Sequence, residues 1–185
     1  DQWPLEDEPH AIARMLEALD RTLALYPDGF FRQMKNTMGE GGVRFMPVGH
    51  IENAVNAIGL TYETYGWQNI YIDVTIDAFD GTICHEIWHA TENEILSRDY
   101  TAFNWDDWNA LNPAGFNQEE WAACNPAGFS YNEDAETPDS NPERWTFFYE
   151  FSAQDVYFVD AYSRTNAKED RARIMEYIMA TEDVA

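Results

Sequence analysis

The segment Gly81-Thr82-Ile83-Cys84-His85-Glu86-Ile87-Trp88-His89-Ala90-Thr91-Glu92 contains an HExxH motif. Residues i and i+4 share one face of a helix, so the imidazoles of His85 and His89 can address a single metal ion. Glu86 follows the first histidine directly. It can face the ion's open position without ligating it, and so take a proton from bound water. The chain has four histidines, and composition alone would put two of them in this frame around a glutamate on the order of 1% of the time. The competing reading is an amphipathic helix with two histidines at helical spacing.

Catalytic zinc takes three protein ligands and one water. An HExxHxxGxxH frame would need glycine at 92 and histidine at 95. The chain has Glu92 and Ile95, which excludes that arrangement. Glu92 lies one turn past His89, where its reach suits a carboxylate that supports a ligand rather than one that binds. The favoured third ligand is Glu169, in the first turn of an expected helix within Tyr162-Ser163-Arg164-Thr165-Asn166-Ala167-Lys168-Glu169-Asp170. A helix packed on the HExxH helix would present this carboxylate to the ion. Asn166-x-x-Glu169 also fits a capping-box-like helix start, in which Glu169 serves the helix end. His10, His50, Glu150 and Glu176 are lesser candidates.

HExxH with a downstream glutamate on a separate helix resembles the gluzincin branch of the zincin metallopeptidases. The second acidic residue of thermolysin-like enzymes is missing, because position 173 is arginine. Tyr162 instead precedes Glu169 by seven residues. That spacing is similar to anthrax lethal factor and the Pro-Pro endopeptidases, in which a tyrosine faces the metal-bound substrate. The Tyr-Pro-x-Gly-Phe-Phe stretch at 26–31 and the Tyr-x-x-Thr-Asn-x-x-Glu-Asp stretch at 162–170 resemble the bacterial zinc-binding metallopeptidases described as substrate-import-associated zinc metallohydrolase lipoproteins. The resemblance implies Zn²⁺ on His85, His89 and Glu169, Glu86 as general base, and peptide or protein substrates. It also implies an extracellular or cell-surface location, with any lipid anchor removed. Tyr162 is then expected to donate to the oxyanion, worth roughly 3 kcal/mol for one such donor, or else to be a packed aromatic. Asp170 is expected to orient a ligand histidine or to be a helix-start charge favoured by the dipole. The alternative to a peptidase is a non-catalytic module that binds a peptide or glycan, with Trp88, Trp105, Trp108 and Trp121 as platforms. Retention of Glu86 argues against it, since structural zinc needs no general base. A third reading is a hydrolase of non-peptide amides or esters.

Several elements must position these groups. Pro9–Tyr26 reads as an amphipathic helix with Ile12, Met15, Leu16, Leu19, Leu23 and Tyr26 at three- and four-residue spacing. Pro27-Asp28-Gly29 stops it, and a short second helix is expected over Phe30–Met34. Val43–Val48 reads as a strand that Pro47 pushes to an edge. Asn69–Ile76 alternates Ile70, Ile72, Val74 and Ile76 with polar or amphipathic residues and is the clearest strand. It is also a surface on which an extended substrate could pair. The HExxH helix is expected from about Asp80, acting as cap, to Leu96. A last helix spans about Asn166–Ala180 with Ala172, Met175, Ile178 and Met179 facing inward.

Residues 99–144 are rich in Asn, Asp, Glu, Pro and Trp. They contain two copies of W-x-A-x-N-P-A-G-F, at 108–116 and 121–129. These read as turn units anchoring a long loop, or as a wall or lid over the substrate. The acidic stretch 132–143 lacks an EF-hand frame. The 144–159 segment is apolar and aromatic, with no preference between strand and helix. The expected organisation is one zincin-like catalytic domain over 1–185, α+β in class, with a loop-rich insertion at about 99–144. Its parts are a small mixed sheet, the HExxH helix and a C-terminal helix that supplies the glutamate.

Charge narrows the partners. A net charge of −23 at pH 7 repels nucleic acid and anionic membrane surfaces, and leaves a neutral or basic ligand as the better fit. No apolar run approaches the ~18 residues of a membrane span, and Asp1-Gln2-Trp3-Pro4 does not read as a signal peptide. A monomer is expected. Cys84 and Cys124 are expected to be free, mostly buried thiols rather than a bridge.

Overall fold

The computed structural model describes residues 9–35, 39–51, 57–102, 107–108, 110–111, 159, 163 and 166–180. Within these the class is mixed α+β: helices α1 (Pro9–Leu23), α2 (Phe79–Arg98) and α3 (Ala167–Met179), and strands β1 (Gly42–Val48), β2 (Gly59–Thr64) and β3 (Trp67–Asp73). The chain divides into two compact units, Asp1–Tyr100 with Met175–Ala185, and Thr101–Ile174. The helix α3 is continuous across the division. Cys124, Glu150, Tyr162, the second W-x-A-x-N-P-A-G-F copy, most of the first, the acidic stretch 132–143 and nearly all of 144–159 lie outside the described residues.

The first unit is built around a three-stranded sheet of order β1-β3-β2. Strand β3 runs parallel to β1 and antiparallel to β2. The Asn69–Ile76 strand is thus the central strand, shifted to Trp67–Asp73, with β1 on one edge and β2 on the other. Its backbone is already paired along both sides, which removes it as a docking edge for an extended substrate. Ile70 and Ile72 are buried with Val74 just beyond the strand, whereas Ile76 is exposed. Pro47 sits in β1, an edge strand among the described residues, as its missing N–H requires.

The hairpin joining β2 to β3 turns on Tyr65 and Gly66, both at positive φ (51° and 78°). Two such residues form the primed turn whose twist matches paired strands. Glycine accepts that backbone freely. Tyrosine rarely adopts it, so β2 carries no Asn-Gly or Asp-Gly signal to announce it.

Helix α1 buries Ala11, Met15, Ala18 and Thr22, a stripe of small residues and one methionine that lets it lie close to α2. The expected inward stripe holds at Met15, with Leu19, Leu23 and Tyr26 packed against the core, but Leu16 is half exposed and the helix ends at Leu23 rather than Tyr26. Past Leu23 the chain turns, and Tyr26, Phe30 and Phe31 pack their rings on one another with centroids 4.8 to 5.2 Å apart. The short helix expected over Phe30–Met34 is instead a run of turns. The amides of Phe30, Arg32, Gln33 and Met34 bond to the carbonyls three residues back, and no i→i−4 ladder follows.

Helix α2 begins at Phe79, and no side chain caps it. Asp80 is therefore inside the first turn, where its carboxylate bonds to Arg21 of α1 (2.7 and 3.2 Å) and complements the helix dipole. Helix α3 starts as expected. The Asn166 side-chain oxygen accepts the amide hydrogens of Lys168 and Glu169 (2.9 and 3.0 Å). Its inward face differs from expectation: Ala172 is buried, Met175 and Met179 are half-buried, and Ile178 is exposed.

Asp73 ends β3 and is fully buried. Its carboxylate accepts bonds from the Ile51 amide (3.1 Å), the Thr75 amide (2.9 Å) and the Thr75 hydroxyl (2.5 Å), and it lies 3.1 Å from His50 Nδ1. Burial pushes the carboxyl upward, but the bonds from Thr75, Ile51 and His50 outweigh it and hold the group below its ordinary 3.8. A carboxylate with a depressed folded pKa contributes stability that is present above the unfolded pKa and lost as pH falls through the folded one. Asp73→Asn is expected to lower stability by roughly 3 kcal/mol near neutrality, through charge-assisted bonds lost. It is also expected to flatten the acid limb below about pH 4, measured by urea unfolding between pH 2 and 7.

Candidate metal centre

Helix α2 carries His85, Glu86, His89, Glu92 and Glu94, all buried. Ionisable side chains taken out of water cost several kcal/mol each unless partners replace their hydration. Glu94 meets Arg98, one turn on, at 2.7 and 2.9 Å. Arg98 also donates to the carbonyls of Gln33 and Lys35, tying the end of α2 to the turns after α1. Glu92 is fully enclosed on the same helix.

The two motif histidines lie one turn apart. Their rings are nearly perpendicular (82°), with centroids 4.6 Å apart. Their Nε2 atoms face each other at 3.0 Å. Zn–N bonds of about 2.0–2.1 Å in a tetrahedron put two ligand nitrogens about 3.3 Å apart, so this pair already stands close to the separation that one ion imposes.

The first histidine has a partner on its far side. His85 Nδ1 lies 3.2 Å from Glu176 Oε2, and both side chains are largely enclosed. A carboxylate at this distance on the side of the ring away from Nε2 is of the kind that supports ligand histidines in zinc proteins. Close approach depends on Gly81. A Cβ there would come within 2.6 Å of Glu176 Oε1. Burial, then this same carboxylate and Asp80, push the Cys84 thiol up to about 12. Cys84 is a free and buried thiol, kept protonated and unreactive by these neighbours.

Glu169 and Glu176 are seven residues apart on α3 and so share a face. Glu169 lies in the second unit and the two motif histidines in the first. The two readings of Asn166-x-x-Glu169 are compatible. Asn166 caps the helix through its own side chain, which accepts the Glu169 backbone amide, and that cap makes no demand on the Glu169 carboxylate as a ligand.

Glu86 is 5% exposed. Its Oε2 accepts a bond from the Thr61 hydroxyl at 2.6 Å. In the second unit, Asp170 Oδ2 accepts from Trp108 Nε1 at 3.2 Å, and the Arg171 guanidinium lies 5.4 Å over the Trp108 ring. The carboxylate at His85 Nδ1 is that of Glu176, a residue weighed in the sequence only as a ligand. Its heptad spacing from Glu169 was the available signal. Thr61 carried no signal, because β2 itself was not recognised. His50 is engaged with Asp73, and His10 is exposed near the start of α1. No family model, curated protein or solved structure matches this chain.

Glu176→Gln is expected to weaken metal affinity by about 10- to 100-fold, the usual cost of losing a carboxylate behind a ligand histidine. Competition against a chromophoric chelator checks it. Gly81→Ala is expected to act in the same direction, by pushing that carboxylate off His85.

Proposed function

We propose that the chain is a zinc-dependent metallopeptidase that hydrolyses peptide bonds, with His85, His89 and Glu169 holding the ion and Glu86 as general base. The observation that carries this reading is the facing Nε2 pair at 3.0 Å, one turn apart on α2, beside a buried glutamate that is not needed to bind. The resemblance to gluzincins supports it, and so does the carboxylate behind His85.

When bound, Zn²⁺ supplies Lewis acidity to the substrate carbonyl and to an attacking water. The protein's own contribution is positional and protonic. Glu176, 3.2 Å from His85 Nδ1, supports that ring from the side away from Nε2. Glu86, already desolvated, accepts one proton from the attacking water and delivers it to the leaving amine, so the C–N bond breaks as the carboxyl product forms. A structural zinc site would gain nothing from a buried glutamate beside the histidines, which disfavours the non-catalytic binding module. Among the described residues no helix is long and apolar enough to cross a membrane. An extracellular or cell-surface location follows from the resemblance and belongs to the same proposal.

Metal content and cleavage of a peptide library test it. Wild type is expected to take up one zinc per chain and to cleave. Glu86→Gln is expected to keep the metal and lose turnover by about 10²- to 10⁴-fold, the span of a general base. Glu169→Ala is expected to lose metal affinity. A wild-type chain that binds zinc and cleaves nothing, with peptide binding intact in Glu86→Gln, would establish the binding module instead.

A further inference from the structure

A general base is useful only if its carboxylate is held where the water arrives, yet a glutamate side chain has three rotatable bonds. Strand β2 supplies the restraint. Thr61 pairs with Ile70 and Gly59 with Ile72 across the antiparallel ladder. Paired residues put their side chains on one face, so positions 59 and 61 share the face of the two buried isoleucines.

Gly59 leaves room on that face. A Cβ at this position would stand 2.7 Å from Glu86 Oε1, 2.8 Å from Glu86 Cγ and 2.7 Å from Thr82 Cγ2. Any side chain there would displace the glutamate. Two residues on, Thr61 Oγ1 lies 2.6 Å from Glu86 Oε2 and 3.1 Å from the Glu86 carbonyl oxygen. The hydroxyl has one hydrogen, and the shorter contact to a charged oxygen takes it. One face of an edge strand thus withholds a side chain where the carboxylate must fit and offers a donor where it must be fixed.

We propose that Thr61 is a positioning residue for Glu86. Its hydroxyl, with the space left by Gly59, sets the plane of the carboxylate toward the open side of the His85–His89 pair. The proposal rests on Glu86 being the base of the hydrolysis described above.

The test uses the full chain with Thr61→Val, Thr61→Ser and Gly59→Ala. In the metal-free protein, the melting-temperature losses of Thr61→Val and Glu86→Ala are expected to be non-additive in the double variant, which reports the contact without any chemistry. In the zinc-loaded protein, Thr61→Val is expected to keep full metal content and KM while kcat falls about 10- to 100-fold, the scale of a misplaced reacting group. Thr61→Ser restores kcat because it restores the hydroxyl. Gly59→Ala lowers kcat with the metal retained. A readout independent of turnover is the affinity of the Co²⁺-loaded protein for acetohydroxamate, a small chelator that shares a proton with the neighbouring carboxylate. Its visible absorption titration is expected to weaken about tenfold in Thr61→Val and to recover in Thr61→Ser. Unchanged kcat and hydroxamate affinity in Thr61→Val would overturn the positioning role and leave the hydrolase reading standing. A wild-type chain that takes up no metal would overturn both.

Discussion

The burial of a row of ionisable side chains along α2 is the constraint that organises the first unit. His85, Glu86, His89, Glu92 and Glu94 would each be far more stable in water than in an apolar interior. They remain inside because separate elements bring groups to them: β2 the Thr61 hydroxyl, α3 the Glu176 carboxylate, and the last turn of α2 its own Arg98. Ile83, Ile87 and Ala90 meanwhile give the same helix an apolar contact with the core. Such a helix has no plain solvent face over its middle, so it must be enclosed on several sides. Enclosure in turn holds the two histidine rings in one arrangement on α2, unlike rings on an open surface.

The site was legible to the extent that it was local. HExxH is a one-turn relationship, and the spacing of His85 and His89 survives any tertiary arrangement that keeps the helix. The start of α3 was also legible, because Asn166 caps through its own side chain within three residues. What could not be read was the non-local part. Thr61 reaches Glu86 only after β2 pairs with β3, and β2 was concealed by a primed turn carrying Tyr65 in place of the usual asparagine or aspartate. Glu176 reaches His85 only because Gly81 permits it, a fact about the contact of two helices and not about either segment.

The fold followed the same division. Alternation over Ile70, Ile72 and Val74 identified a buried strand, but periodicity does not report how many neighbours a strand has, and so could not tell a central strand from an edge. In α1 the large apolar residues marked the buried face at Met15, Leu19 and Leu23, but also took in the exposed Leu16 and passed over Ala11 and Ala18. Small residues such as Ala11 and Ala18 define the contact because they shorten the distance between helix axes, a preference that hydrophobicity alone ranks too low. At the start of α2, Asp80 has the residue type of a cap but is spent on Arg21, an ion pair 59 residues apart in sequence that no local rule anticipates.

Five residues separate the anchored carboxylate of Asp73 from Phe79, where α2 begins. Because Asp73 ties the strand end to Ile51 and Thr75, this short joint behaves as a rigid coupling that sets the screw phase of everything after it. An α-helix advances about 100° per residue. Lengthening the joint by one residue would therefore rotate the whole helix by more than a quarter turn, exchanging enclosed carboxylates for isoleucines while leaving every side chain of the motif intact. The linker is, in this sense, a component of the proposed metal centre that contains none of its atoms.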